Sequence, residues 1–169
     1  MLENKKKYSL IIRNFVFGVE DSLVSTVGLL AGIGFAGVDV KTVILTGAVL
    51  IFVEAFSMAI GSLLSEQSVE QYEDNSVSSW SKPASAAAVM FFSYVISGFI
   101  PLIPYILQAR NAVWWSIGLT LVSLFLLGIF NAHLFRIKAF KDGLITLFMG
   151  GLAIAVGIIV GQIAESLKL

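Results

Sequence analysis

The chain has 169 residues, 57% of them hydrophobic and only 13% charged, with basic and acidic residues in balance. A soluble domain carries roughly a quarter charged residues, so this composition indicates a membrane protein with little soluble mass, and zero net charge leaves no field that would gather nucleic acid. The absence of cysteine excludes disulfides, iron–sulfur clusters and thiolate zinc sites, and the single His133 cannot build a histidine cage.

The N-terminal "MLENKKKYSLIIRNF" begins like a signal peptide, but the apolar run after it is long and has no small-residue cleavage pattern. It reads as a retained first span. A bilayer core of about 30 Å needs about 20 mostly apolar residues per helix. Stretches of this kind lie at about 12–37, 42–65, 84–107, 112–135 and 143–164, which predicts a single all-α domain over 1–169 with five transmembrane helices. In span one, Gly28 and Gly32 form a GxxxG pair, as do Gly157 and Gly161 in span five. Such pairs serve either packing within one chain or a dimer seam. After span two comes the acidic connection 65–83, which can prolong the helix into water before looping back, with Pro83 opening the third helix. Pro101 and Pro104 each remove a backbone donor from span three, where a kink is expected. Orientation follows from Lys and Arg. A cytoplasmic N-terminus puts Lys5, Lys6, Lys7, Arg13, Lys82, Arg136, Lys138 and Lys141 inside, against Lys41, Arg110 and Lys168 outside. The acidic connection then faces the cytoplasm.

Ionisable residues inside the membrane are costly and point to function. Here they are Glu20, Asp21 and Glu54. At 1.5 Å per residue, Asp21 lies about 12 Å in from Arg13, and Met58 about 12 Å in from Glu66 on the antiparallel span two. Glu54 is one turn deeper on the face of Met58. Carboxylate oxygens beside a thioether favour a transition metal such as Fe(II) over Mg²⁺ or Ca²⁺. Desolvated carboxylates that meet a cation also exchange protons for it. Glu66, Glu70 and Glu73 share a helical face. They are either a solvated helix end or a low-affinity collection site for a divalent cation.

The motifs resemble those of a known family. "FGVEDSLVSTVGLLAGIG" resembles the first-span signature of the vacuolar iron transporter family, usually written G-A-N-D-G-L-V-S, and "EAFSMAIGSLLSEQSVEQYE" resembles its second span. "SGFIPLIPYIL" and "KDGLITLFMGGLAIAVGIIVGQIAE" are similar to its third and last spans. The resemblance implies a five-span homodimer that exports Fe(II), and often Mn(II), from the cytoplasm in exchange for protons along a pathway between subunits. The family's pathway Asp falls on Asp21 and its pathway Met on Met58; Glu54 is added from depth and face. The sequence departs from the family at Glu20, Ser22 and Ser62, and 65–83 stands where plant and fungal-type members carry a long glutamate-rich domain. Glu20 is left as a second ligand, a proton carrier or a partner for Arg13. No permanently bound cofactor and no enzyme activity are expected, since no Ser-His-Asp set, His cluster or phosphate loop is present. The expected partners are the metal substrate, the lipid bilayer and a second copy. A short chain without a targeting extension points to a prokaryotic plasma membrane, not a vacuole. The competing readings are a non-transporting membrane scaffold or assembly protein, and an organic-cation transporter, since carboxylates and aromatics also suit ammonium groups.

Overall fold

The computed structural model describes residues 2–74, 80–135 and 138–167, with the side chains of 2–7, 73, 74 and 135 left out. The described residues form five helices: α1 (Leu2–Phe35), α2 (Val40–Asp74), α3 (Ser81–Ile106), α4 (Ala112–Phe135) and α5 (Ala139–Ser166). Each is long and apolar enough to cross a membrane. In hydrocarbon a helix satisfies its backbone within one segment, and this is why the five apolar runs fold as they do. The chain is a multi-pass membrane protein. Glu73, Lys5 to Lys7, Arg136 and Lys168, on which parts of the sequence reading rest, lie outside the described side chains.

The helices extend beyond the apolar runs. The 35 residues of α2 reach about 52 Å, well past a bilayer core of about 30 Å. Most of the acidic stretch from Ser65 is therefore helix, and Pro83 sits in the first turn of α3, where its missing donor is harmless. Connections are tight. α1 ends in a Schellman turn: Val38 N–H donates to Ile33 C=O at 3.2 Å, Gly37 N–H to Gly34 C=O at 3.3 Å, and Gly37 takes a φ of 74°. Asp39 caps α2, accepting from the amides of Lys41 and Thr42 at 3.0 and 3.1 Å. α3 runs as one helix through Pro101 and Pro104.

α1 is the central element. It touches α2, α3, α4 and α5, whereas α2 meets only α1 and α3, and α5 only α1 and α4. The outer four helices thus wrap α1 in an incomplete ring, open between α2 and α5. Apolar side chains stand out to the surface on both flanking helices, among them Phe56 at 62% and Phe148 at 64% exposure. The core behind the opening joins Leu30, Val43, Ile51, Leu102 and Tyr105 on one side of α1 and Val27, Ala31 and Ile154 on the other.

The GxxxG pairs resolve into packing within the chain. A Cβ on Gly32 would lie 2.7 Å from the Gly157 carbonyl oxygen, and Gly157 and Gly161 press on the backbones of Gly28 and Gly32 in turn. With both pairs spent on the α1–α5 contact, they are not available as a seam to a second copy.

Candidate functional site

On the open side of the ring, α1 presents Arg13, Phe17, Glu20, Asp21 and Val24, one stripe at helical spacing. Two contacts fix how α2 runs beside it. Arg13 forms an ion pair with Glu66, and Ser25 Oγ donates to Glu54 Oε2 at 2.9 Å. In the antiparallel register set by these two contacts, Asp21 falls level with Met58. Asn14 lies in the same strip, where Ser62 Oγ donates to its Oδ1 at 2.5 Å.

Two hollows flank the stripe. One, of about 660 Å³, lies between α1, α2 and α3 and is lined by Arg13, Asn14, Met58, Ser62, Glu66 and Met90, among others. The other, of about 250 Å³, lies between α1 and α5 and is lined by Glu20, Asp21, Val24, Met149 and Gly150. Phe17 borders both. The structure therefore puts Met58 and Glu66 in one hollow and Asp21 and Glu20 in the other, with Met58 and Asp21 level.

Glu54 is half-buried and turned inward. Tyr94 of α3 donates its hydroxyl to Glu54 Oε2, the same oxygen that Ser25 addresses, and the two hydroxyls lie 2.7 Å apart. Asp21 lies one turn of α1 from Ser25, the residue that donates to Glu54. Glu20 lies beside Asp21 on α1 and lines the hollow between α1 and α5. Asp142, in the first turn of α5, accepts from Asn131 Nδ2 at 3.4 Å. Arg13 pairs with Glu66 and not with Glu20, because Glu66 faces it across the α1–α2 contact. Glu66 is thus engaged at the mouth of the larger hollow, and Glu70 is half-buried one turn further along α2. Among the described residues no three His, Asp or Glu side chains converge to hold a metal.

The sequence reading missed Ser25, Tyr94 and Asp142. A tyrosine in mid-span needs a partner for its hydroxyl, and this was the available signal for Tyr94. Asp142 was taken as connector because the apolar run begins only after it.

Comparison with known proteins gives one consistent picture. The family model described as VIT family matches residues 12–82 and 75–162. Vacuolar iron transporter homolog 2 of Arabidopsis thaliana is 32% identical over 161 residues, covering 89% of this chain and 82% of that protein. Vacuolar iron transporter homolog 1 of the same plant is 29% identical over 160 residues, covering 86% and 78%. Vacuolar iron transporter 1 of Arabidopsis thaliana is 33% identical over 82 residues, 47% of this chain and 33% of that protein.

Proposed function

The chain belongs to the VIT family, and from that premise we propose that it carries a divalent transition-metal ion, Fe(II) and also Mn(II), out of the cytoplasm in exchange for protons. The observation that carries this reading is the register of α1 against α2 inside the spanning segments, which sets Asp21 level with Met58 and brings Glu54 to Ser25, one turn of α1 from Asp21. Two carboxylates alone would serve many cations. A thioether at the same depth favours a softer, transition-metal ion. Ligation requires the carboxylates deprotonated, so an arriving cation releases protons, and alternate exposure of the same groups ties metal export to proton entry.

The incomplete ring supports a homodimer. The stripe from Arg13 to Val24 is left uncovered between α2 and α5, with the Asp21 and Met58 hollows on either side of it. A second copy laid across this opening would bring a second set of carboxylates and thioethers to the same depth and exclude lipid from them. In that arrangement Asp21, Met58 and Glu54 are ligands and Glu20 flanks them. Glu66, Glu70 and Glu73 lie toward the cytoplasmic entrance, where the metal must break the Arg13–Glu66 pair to pass.

The test is metal flux in proteoliposomes holding the purified protein, offered Fe(II), Mn(II), Co(II) and Zn(II) at fixed metal gradient and varied pH gradient. Fe(II) flux that rises when the receiving side is acidic is expected. Flux insensitive to the pH gradient would leave a passive metal pathway, and no flux of any metal from folded protein would turn the reading to a scaffold.

A further inference from the structure

Glu54 is tied to two other helices through a single oxygen. Ser25 Oγ on α1 reaches Oε2 at 2.9 Å, Tyr94 on α3 donates its hydroxyl to the same Oε2, and the hydroxyls contact each other at 2.7 Å. The tyrosine cannot readily withdraw. It is completely buried, and Ser22 Oγ donates to its carbonyl at 2.6 Å. One turn along at Gly98, even a Cβ would lie 2.7 Å from Ser22 Oγ and 2.8 Å from Ile51, so α3 is pressed against α1 and α2 with no slack.

A carboxylate can offer a cation one oxygen or both. Two donors on Oε2 consume the lone pairs that would turn toward a metal and leave Oε1 to bind it. Two-oxygen ligation belongs to larger oxygen-seeking cations such as Ca²⁺, whereas mixed sites with a soft ligand suit transition ions. We propose that Tyr94 and Ser25 are positioning residues that lock Glu54 as a one-oxygen ligand and thereby bias the pathway against Ca²⁺. The inference rests on the reading of the chain as a metal transporter with Glu54 in its path.

The experiment compares wild type, Tyr94→Phe, Ser25→Ala, Ser25→Thr and Glu54→Gln in proteoliposomes. Tyr94→Phe and Ser25→Ala should each raise the KM for Fe(II) about tenfold, the worth of one hydrogen bond to a charged group, while the maximal rate stays nearly constant. Ca²⁺ should inhibit Fe(II) flux more strongly in both variants, and Ser25→Thr, which keeps the hydroxyl, should behave as wild type. A second readout needs no transport. In metal-minus-apo infrared difference spectra with Mn(II), the carboxylate bands that vanish in Glu54→Gln should show a narrower separation of antisymmetric and symmetric stretches in Tyr94→Phe, the mark of two-oxygen ligation. Unchanged KM, Ca²⁺ inhibition and infrared bands in both hydroxyl variants would overturn the proposal. So would a lost maximal rate at constant KM, which is packing damage. If wild type moves metal and Glu54→Gln does not, such a result removes the lock alone. If wild type moves no metal, the functional reading itself falls and the lock with it.

Discussion

From Arg13 to Ser25, α1 carries ionisable and hydroxyl groups that reach α2 and α3. From Val27 to Gly32 it carries apolar residues and glycines, and Gly28 and Gly32 lie flat against α5. The first contact is made by side-chain tips: Arg13 with Glu66, Asn14 with Ser62, Ser25 with Glu54. Tips can exchange one partner for another without moving a backbone. The second is made by main chain on main chain, where interiors are close-packed and any added atom has to displace a helix. One helix thus joins a face whose side-chain contacts can be exchanged to a seam that holds the bundle in register.

The strongest way to break this comparison is to swap chemistry on the polar face. Asp21→Asn keeps size and removes charge, and it should lower Fe(II) flux more than about 100-fold while the protein still inserts and purifies as wild type does, since loss even of a ligand's supporting contact costs 10–100-fold. Wild-type flux from folded Asp21→Asn protein would take Asp21 out of the pathway. On the seam the effect should be reversed in kind. Gly157→Val should destabilise the fold by about 3 kcal/mol or more through overpacking, read as a lowered thermal midpoint in detergent. Gly151→Ala, at a position with nothing within 4 Å of the new Cβ, should leave the midpoint unchanged.

The same contrast tests the proposed dimer. With no native cysteine, single cysteines at Phe17 and Phe56 should cross-link between copies, whereas those at Val27 and Ala31, at 0% and 1% exposure, should not. Cross-linking from the buried pair would place the interface on the seam. A finer effect is expected at Met58→Leu, which fills similar volume without sulfur and should weaken Fe(II) more than Mn(II), the harder ion. Equal flux for both ions as in wild type would make Met58 a core filler.

The smallest effect lies at the loop between α1 and α2. The Thr42 hydroxyl, and then its amide, hold the Asp39 carboxyl below its ordinary range. A depressed folded value means the contribution is complete above the unfolded value of about 3.9 and disappears as pH falls through the lower folded value. Wild type should therefore lose a small part of its thermal midpoint below about pH 4, and Asp39→Ala should lack that component of the pH dependence.

Hydropathy made the five spans legible because the bilayer demands length and apolarity together. It was silent on the ends. α1 reaches back to Leu2 and α2 on to Asp74, and outside the hydrocarbon a helix no longer needs apolar residues to persist. Asp21 and Glu54 were legible as charges in an apolar run, and the level of Asp21 with Met58, with Glu54 one turn deeper, followed from helical rise alone. Tyr94 and Ser25 were not, because a hydroxyl in a span is common and nothing in "FFSYVISG" reveals that its tyrosine faces a carboxylate 40 residues earlier, on the preceding helix. The GxxxG pairs illustrate the same limit: their spacing predicts close backbone approach, and only the fold tells that the partner is α5 of the same chain.

Phe17 stands on the border of both hollows, half exposed. One aromatic ring therefore lines both the Asp21 side and the Met58 side. An exposed ring changes rotamer in picoseconds to nanoseconds, while packed helices shift in microseconds or longer. On the proposed pathway, an ion moving between the two hollows would meet a ring that reorients before any slower movement of the bundle begins.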